Sequence, residues 1–355
     1  VFTTSHKYNF KHNLSLSKKM DPLTQGTVGA AFSQSSADKK NIFKISIIGF
    51  LAGLAPDLDV LIQSSTDPIL FLEYHRQFSH SLFFIPFGSL IVAALIFPLF
   101  KKSMSFKTLY IASFLGYATH GLLDACTSYG TLLFWPFSNE RVTWNNISII
   151  DPIFTIPVLI LIGIAIKTKR KIFSFFSIGW IIFYLSLGFI QYERALSTAN
   201  DLAESRGHNP ERLTLKPSFG NLILWKSIYE YEKTFYVDAI RTVQSSTVCL
   251  GESIKIFDYR EHLPDLDKES QQALDIERFR WFSQDYLGFD EEKSLVTDVR
   301  YSMLPNQIEP MWGLVIDDLR DTNEHAIWWT GRDVDESQWN LFVKMLGGKE
   351  CKVQS

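Results

Sequence analysis

The sequence predicts a mainly α-helical membrane domain, with about five transmembrane helices plus a short N-terminal helix, followed by a soluble α+β domain. The 355-residue chain is 46% hydrophobic and contains 29 phenylalanines. Its apolar residues concentrate between residues 42 and 190, whereas its charged residues concentrate after residue 190. In the later part, short segments rich in Tyr, Phe, Val and Ile alternate with polar residues, which is typical of strands. We therefore predict a membrane domain at residues 20–190 and a water-facing domain at residues 191–355.

The N-terminal residues 1–19 are basic and polar, and they lack the apolar core of a signal peptide. We expect them to be a disordered extension that precedes the natural start at Met20. From Asp21 onward, Pro22 at a first helical position and the small residues Gly26 and Gly29 indicate a short helix. Small residues on such a helix favour close packing against a neighbour.

Five apolar segments follow, and a transmembrane helix needs about 20 residues to cross the hydrocarbon core. The first segment is interrupted near its end by the sequence Pro-Asp-Leu-Asp, and the fourth is short for a free-standing span. The predicted spans are residues 45–61, 82–100, 108–126, 152–166 and 172–190.

Lysine and arginine residues determine the predicted orientation of these spans. They cluster before the first span, between the second and third, and between the fourth and fifth, and the positive-inside rule assigns such loops to the cytoplasm. The extracytoplasmic face then receives residues 57–81, residues 124–151 and everything after residue 190. The loop cations are Lys39, Lys40, Lys44, Lys101, Lys102, Lys107, Lys167, Lys169, Arg170 and Lys171.

Three histidines and three carboxylates of the membrane half fall on this extracytoplasmic face. His120 and Asp124 are four residues apart, so they share one helix face. Asp57 and Asp59 follow Pro56, where the chain need not be regular helix, and both can turn toward a common centre. Imidazole and carboxylate ligands suit zinc, with manganese and iron as alternatives. The predicted metal ligands are Asp57, Asp59, His75, His80, His120 and Asp124.

Six candidate ligands exceed the three or four that one catalytic zinc uses, so some should only support the ligands, or two metals lie about 3.5–4 Å apart. His80, at the entrance of the second span, is the strongest candidate, and His75 is weaker because its loop leaves its direction open. Asp59 or Asp124 is expected to act as a general base if it is not a ligand. Arg76 either binds an anionic substrate group such as phosphate or is an interfacial arginine.

Metal chemistry at this position predicts a hydrolase that cleaves an ester or phosphoester at the level of the lipid headgroups. A site at the outer ends of the spans would give a lipid or lipid-linked substrate lateral access. Asp151, directly before Pro152, is expected to cap the fourth span and ranks lower as a site residue. The net charge of −3 and the lack of a basic stripe argue against a nucleic-acid partner.

The predicted soluble domain contains both helices and strands. His208, His262 and His325 lack the spacing of metal ligands, so we expect surface or structural roles for them. Trp328 and Trp329 are expected in the domain core, with an anchor near the lipid headgroups as the alternative. Cys126, Cys249 and Cys351 show no CxxC spacing, are too few for a disulfide framework and are expected to be bystanders. The predicted helices are residues 191–206, 265–283 and 336–346, and the predicted strands are residues 212–216, 222–232, 234–243, 295–301, 311–316 and 325–330.

Several short motifs of this chain together resemble the YdjM-type family of bacterial inner-membrane proteins, which are described as metal-dependent hydrolases. The motifs are MDPLTQ at residues 20–25, PDLD at 56–59, HR at 75–76 with SHS at 79–81, HGLLD at 120–124 and IDP at 150–152. The resemblance implies a membrane-bound hydrolase whose metal is held by these His and Asp motifs. Many relatives carry His where this chain has Gln25, a poor zinc ligand that could at best orient a water or substrate. Residues 298–301 are similar, more loosely, to the C-terminal part of longer members.

Two other functional classes remain open from the sequence alone. A transporter or proton-relay protein would carry polar residues through the full depth of its helices, whereas spans two, four and five are almost purely apolar. A structural or regulatory membrane protein would use its extracytoplasmic domain to bind a partner, while the polar cluster held the helices together.

Overall fold

The computed structural model of this chain describes residues 22–316, 322–331 and 335–353. The predicted extension at residues 1–19 and the predicted start at Met20 lie outside these residues. A helical half is followed by an α+β half, in agreement with the predicted order of fold classes. The principal helices of the first half are α1 (Pro22–Ser35), α2 (Ile42–Leu54), the short α3 (Phe71–Tyr74), α4 (Ile85–Phe100), α5 (Phe106–Cys126), α6 (Pro152–Thr168) and α7 (Ile172–Ser205).

Glycines allow α1, α2 and α5 to pack at very close range. A Cβ atom at Gly29 of α1 would lie 2.5 Å from the carbonyl oxygen of Gly49 on α2. A Cβ atom at Gly116 of α5 would lie 2.6 Å from the same oxygen. The small residues predicted to favour close packing of the first helix therefore form the contact surface between three helices.

Within the described ranges, two helical segments are long and apolar enough to cross a membrane, which corrects the expected number of about five. They are Leu82–Phe100, which includes α4 and the 3₁₀ turn before it, and Ile172–Ser205. Only 22% and 28% of their apolar windows are buried within the fold, so most of these side chains face outward. Among the other predicted spans, α2 has 13 residues and α6 has 17. Helix α5 has 21 residues but carries buried polar side chains along its length.

The predicted first span ends early because its helix changes geometry at the proline. Helix α2 stops at Leu54, and residues Ala55–Leu61 form a 3₁₀ segment with Pro56 near its start. A proline at the beginning of a helical segment is tolerated because its missing N–H would have no partner there. The tighter turn places both Asp57 and Asp59 in buried positions.

The described residues of the α+β half form two antiparallel sheets. The first has the strand order β1-β2-β3-β4-β9 and the second has the order β5-β6-β7-β8. Helix α7 continues without a break from the apolar segment past residue 191 and contacts the first sheet. The strands are β1 (Arg212–Pro217), β2 (Leu224–Tyr231), β3 (Thr234–Thr242), β4 (Ser246–Lys255), β5 (Leu287–Asp290), β6 (Leu295–Asp298), β7 (Trp312–Val315), β8 (Ile327–Thr330) and β9 (Lys352–Val353), and the helices are α8 (Tyr259–His262), α9 (Gln271–Phe282) and α10 (Glu336–Leu346).

A disulfide between Cys249 and Cys351 corrects the expectation that these cysteines are bystanders. Strand β4, which was not predicted, pairs with β9 so that Thr247 lies opposite Val353. This pairing brings together two cysteines that are 102 residues apart in sequence, with their Cα atoms at 4.1 Å. Cys126 is free and buried.

The α+β half packs against the end of the helical half that carries the candidate site. Ile69 and Leu72 belong to the same buried apolar cluster as Phe279 and Phe282 of α9. Arg278 of α9 forms ion pairs with residues of the helical half, and the hydroxyl of Tyr301 donates to the Ser128 carbonyl at 2.8 Å. The two halves therefore share a packed junction.

The remaining histidines and tryptophans of the α+β half take structural positions. His208 Nδ1 lies 2.9 Å from the Tyr229 hydroxyl, and His325 Nδ1 lies 2.9 Å from an Asp275 carboxylate oxygen. The ring of His262 stacks against Phe257. Trp328 packs edge-on against Phe279 in the core, as expected. None of these three histidines approaches the predicted metal ligands.

Candidate metal centre

Three parts of the helical half carry the predicted site residues to one place. The 3₁₀ segment after α2 supplies Asp57 and Asp59, the segment before α4 supplies His75 and His80, and α5 supplies His120 and Asp124. All six side chains are buried, with at most 7% of each residue exposed.

Four side-chain atoms converge at the centre of this group: the Nε2 atoms of His80 and His120, one oxygen of Asp57 and one oxygen of Asp124. The two Nε2 atoms are 2.9 Å apart. Asp57 Oδ1 lies 3.5 and 3.4 Å from them, and Asp124 Oδ2 lies 3.2 and 3.6 Å from them. Two ring nitrogens at this distance repel each other unless a proton or a cation lies between them.

The orientation of His120 is fixed by a backbone acceptor. Its Nδ1 atom lies 2.6 Å from the carbonyl oxygen of Gly53 on α2. Because a carbonyl oxygen can only accept, Nδ1 must carry the proton, and the lone pair of a neutral ring is then on Nε2. That lone pair is available to the central group.

His80 is oriented in the same way, but by a carboxylate. Its Nδ1 atom lies 3.2 Å from Asp59 Oδ2 and 3.0 Å from the Ser79 hydroxyl. Asp59 also accepts from His75 Nδ1 at 2.8 Å, from the Arg76 backbone N–H at 2.9 Å and from the Ser79 hydroxyl at 2.9 Å. Asp59 therefore lies behind His80, on the side away from the four central atoms, and His75 lies behind Asp59.

Asp124 is held by two residues from other segments. The side-chain amide of Gln25 donates to Asp124 Oδ1 at 2.7 Å, and Arg76 Nε lies 3.2 Å from Asp124 Oδ2. Arg76 also donates from Nη1 to the Thr127 hydroxyl at 3.2 Å and lies over the Tyr129 ring. Gln25 thus supports a central carboxylate.

Two residues of α5 that the sequence analysis missed hold the backbone next to His80. The hydroxyl of Tyr117 donates to the Ser79 carbonyl at 2.8 Å. A Cβ atom at Gly121 would lie 2.0 Å from the His80 carbonyl oxygen, so this approach requires glycine. The adjacency of Gly121 to His120 in the HGLLD motif was the available signal, whereas the sequence contains no comparable signal for Tyr117.

The electrostatics of the group favour a positive charge at its centre. Three buried carboxylates face one guanidinium, and Asp57 Oδ2 and Asp124 Oδ2 accept no hydrogen bond within the described residues. Burial lowers the pKa of His80, but the close carboxylates of Asp124, Asp57 and Asp59 outweigh burial and raise it well above the ordinary value. Burial lowers the pKa of His75, which stays neutral at pH 7.

The distances fit a first-row metal ion. Ligand atoms about 2.0–2.2 Å from one ion lie about 2.8–3.1 Å apart in an octahedral arrangement and about 3.3–3.6 Å apart in a tetrahedral one. The five separations that involve an imidazole Nε2 atom, 2.9–3.6 Å, extend over both ranges. The ligand atoms of Asp57, His80 and His120 lie within 4.8 Å of one another, as do those of Asp57, Asp59 and His75. This buried Asp/His group could hold a metal ion.

Asp151 caps a helix and stands apart from this group. Its Oδ1 atom accepts from the backbone N–H groups of Ile153 and Phe154 at the start of α6, as expected. Its Oδ2 atom accepts from the Tyr184 hydroxyl at 2.7 Å. Both oxygens are thus used within the helix bundle.

Comparison with known proteins gives one family match. Residues 20–195 match the profile of the family described as YdjM inner membrane protein. The uncharacterized protein YfhP of Bacillus subtilis (strain 168) is 32% identical over 119 residues, which cover 33% of this chain and 36% of that relative. The match thus spans only about a third of the relative's length. No solved structure matches this chain significantly.

Proposed function

Because residues 20–195 belong to the YdjM inner membrane protein family, we propose that this chain is a membrane-bound, metal-dependent hydrolase. Its substrate is an ester or phosphoester at the outer face of the inner membrane. One observation carries the proposal: two buried imidazole Nε2 atoms lie 2.9 Å apart, and one oxygen each of Asp57 and Asp124 lies 3.2–3.6 Å from both of them. Each Nδ1 atom of these imidazoles faces an acceptor on the opposite side of its ring.

The proposed ligands are the four residues that supply these atoms, Asp57, His80, His120 and Asp124. Zinc suits this donor set best, with manganese and iron as alternatives. A bound ion of this kind would supply a Lewis acid and a water of lowered pKa. Asp59 orients His80, as carboxylates do behind many metal-binding histidines.

The carboxylate available to accept a proton from an attacking water is Asp57. Its Oδ2 atom accepts no hydrogen bond within the described residues, and its side chain is 8% exposed, whereas that of Asp124 is fully buried. Asp124, one of the two bases suggested by the sequence, is fully buried, and its Oδ2 atom lies 3.2 Å from Arg76 Nε. Asp59, the other base suggested by the sequence, already accepts hydrogen bonds from three donors. Arg76 keeps the Asp124 carboxylate in place and ionised.

The proposed location is multi-pass in the bacterial inner membrane, with the site and the α+β half on the extracytoplasmic side. The lysine-rich loops at the opposite helix ends support this orientation. The Cys249–Cys351 disulfide supports it as well, because disulfides persist in oxidising compartments outside the cytoplasm. Leu82 and Phe83 beside His80 are 38% and 45% exposed, which suits lateral access for a lipid or lipid-linked substrate.

The test is the metal content of detergent-purified protein. We expect stoichiometric metal in the wild type and its loss in the His80→Ala, His120→Ala double variant. His262→Ala, which removes a histidine far from the group, is the matched control and should retain the metal. Wild-type protein without stoichiometric metal, or a double variant with undiminished metal, would end the proposal. Screening the loaded protein against phospholipid, phosphoester and peptide substrates, with and without chelator, then identifies the scissile bond.

A further inference from the structure

Among the residues that the structure describes, three arginines are almost fully buried, and one of them has no carboxylate partner. Arg76 and Arg300 pair with Asp124 and Asp298, respectively. Arg141 is 3% exposed, yet no carboxylate of the described residues lies within ion-pairing distance of it. A buried unpaired guanidinium is costly, and such a group in a native protein usually binds an ordered water or an ion.

The guanidinium of Arg141 has unused donors. Its Nη2 atom donates to the Gly130 carbonyl at 2.9 Å. Its Nε and Nη1 atoms are buried and have no hydrogen-bond partner within the described residues. Gly130 has a φ of +87°, and a Cβ atom there would lie 3.2 Å from Arg141 Nε, so glycine allows the backbone to pack closely against the guanidinium.

The position of Arg141 is fixed by both halves of the molecule. Its neighbour Val142 exchanges backbone hydrogen bonds with Thr131 at 2.8 and 3.2 Å. The side-chain amide of Gln284 donates to the Arg141 carbonyl at 2.8 Å. The guanidinium lies over the rings of Trp281 and Phe282, 5.2 and 5.0 Å from their centroids. The side chain is therefore held ready before any ligand arrives.

Arg141 is linked to the metal centre through a series of aromatic contacts, and the guanidinium groups of Arg76 and Arg300 lie near enough to act on its charge. Arg76 lies 4.7 Å from the Tyr129 ring centroid, Tyr129 contacts Phe282 at 5.2 Å, and Phe282 contacts Arg141. Burial and the charges of Arg76 and Arg300 lower the pKa of Arg141 to about 10, so it remains cationic at neutral pH. Trp281, which stacks on Arg141, separates it from a cleft of about 810 Å³ between the two halves, whose lining includes Asp67, Glu73 and Glu277 but not Arg141 itself.

We propose that Arg141 is the anchor of an oxyanion site, separate from the metal centre, that takes a phosphate-type group. A guanidinium with free donors binds phosphate oxygens through charge-assisted hydrogen bonds. The site itself requires no metal. Its role as a subsite for a second phosphate group of the substrate rests on the proposed hydrolase function, and it narrows the substrate class to lipids or soluble esters with an additional phosphate.

The experiment measures binding of inorganic phosphate to the full-length protein in detergent, with chelator present throughout. We expect saturable binding of one phosphate per chain to the wild type, and at least tenfold weaker binding to Arg141→Gln. Arg212→Gln is the matched control, because Arg212 also lies over an aromatic ring but pairs with Glu230. It should bind phosphate like the wild type. Short-chain phosphatidic acid and glycerol 3-phosphate, used as competitors, distinguish a lipid headgroup from a soluble phosphate as the source.

A readout on the wild type keeps the proposal testable if Arg141→Gln does not fold. Saturating phosphate should raise the Tm of the chelated wild-type protein, and chloride at equal ionic strength should not. No saturable phosphate binding to the wild type, or equal binding to a folded Arg141→Gln variant, would overturn the proposal. Because the chelator removes metal, these results are independent of whether the protein proves to be a hydrolase.

Discussion

Asp59→Asn separates the residues that would bind a metal from those that only orient them. The substitution keeps the shape of the side chain but replaces one carboxylate oxygen by an amide group that cannot accept a hydrogen bond. In the structure Asp59 faces His80 Nδ1 at 3.2 Å and accepts three further hydrogen bonds, so His80 would lose its fixed ring orientation. Loss of such a supporting carboxylate typically weakens metal binding about 10–100-fold, or about 1.4–2.7 kcal/mol.

The assay is competition for zinc between the purified protein and a chromophoric chelator. We expect Asp59→Asn to bind the same number of metal ions as the wild type with about 10–100-fold lower affinity. In contrast, Asp57→Ala, which removes a proposed ligand, should reduce the stoichiometry itself. Unchanged affinity in Asp59→Asn, or a complete loss of metal equal to that of the ligand variant, would refute the assignment of Asp59 behind His80.

Two further predictions concern the α+β half. Removing the disulfide by Cys249→Ser should destabilise the protein by up to about 4–5 kcal/mol, since the bond closes a loop of 102 residues; equal unfolding of wild type and variant in denaturant would contradict this. Burial lowers the pKa of Lys226 to about 7. Between this pKa and the higher ordinary pKa of lysine, the unfolded chain binds a proton that the folded chain does not, so the folded state gains stability as the pH rises. The Tm of the wild type relative to Lys226→Met should therefore rise between pH 7 and pH 10, and a constant difference over this range would show that Lys226 titrates normally.

The sequence predicted the order of the two halves and the residues that meet at the site because both depend on local patterns. The PDLD and HGLLD motifs place their polar residues at helix ends, and the structure brings these ends together. The sequence left open how the six residues divide between the centre and its support. That division depends on which ring nitrogen of His80 faces Asp59, and no spacing encodes this direction.

Other features were missed because they arise from contacts between distant segments. Strand β4 is half exposed and carries Gly251 and Glu252, so its composition is weak evidence for a strand. Cys351 approaches Cys249 only through the two-residue pairing of β9. In the sequence, Arg141 cannot be distinguished from an exposed loop arginine, because its burial results from the packing of Trp281 of α9 against it. The number of spans was overestimated because buried helices such as α5 are apolar on the surfaces that they bury.

In the proposed membrane arrangement, helix α7 alone sets the distance between the bilayer and the α+β half. Its 34 residues extend about 51 Å at 1.5 Å per residue, whereas the hydrocarbon core is about 30 Å thick. About 20 Å of helix therefore stands clear of the core and supports the first sheet. Hydrophobic mismatch changes the tilt of such a helix, and a tilt of about 10° would displace the end of that extension sideways by about 3–4 Å. Bilayer thickness would thus act directly on the junction that contains the cleft.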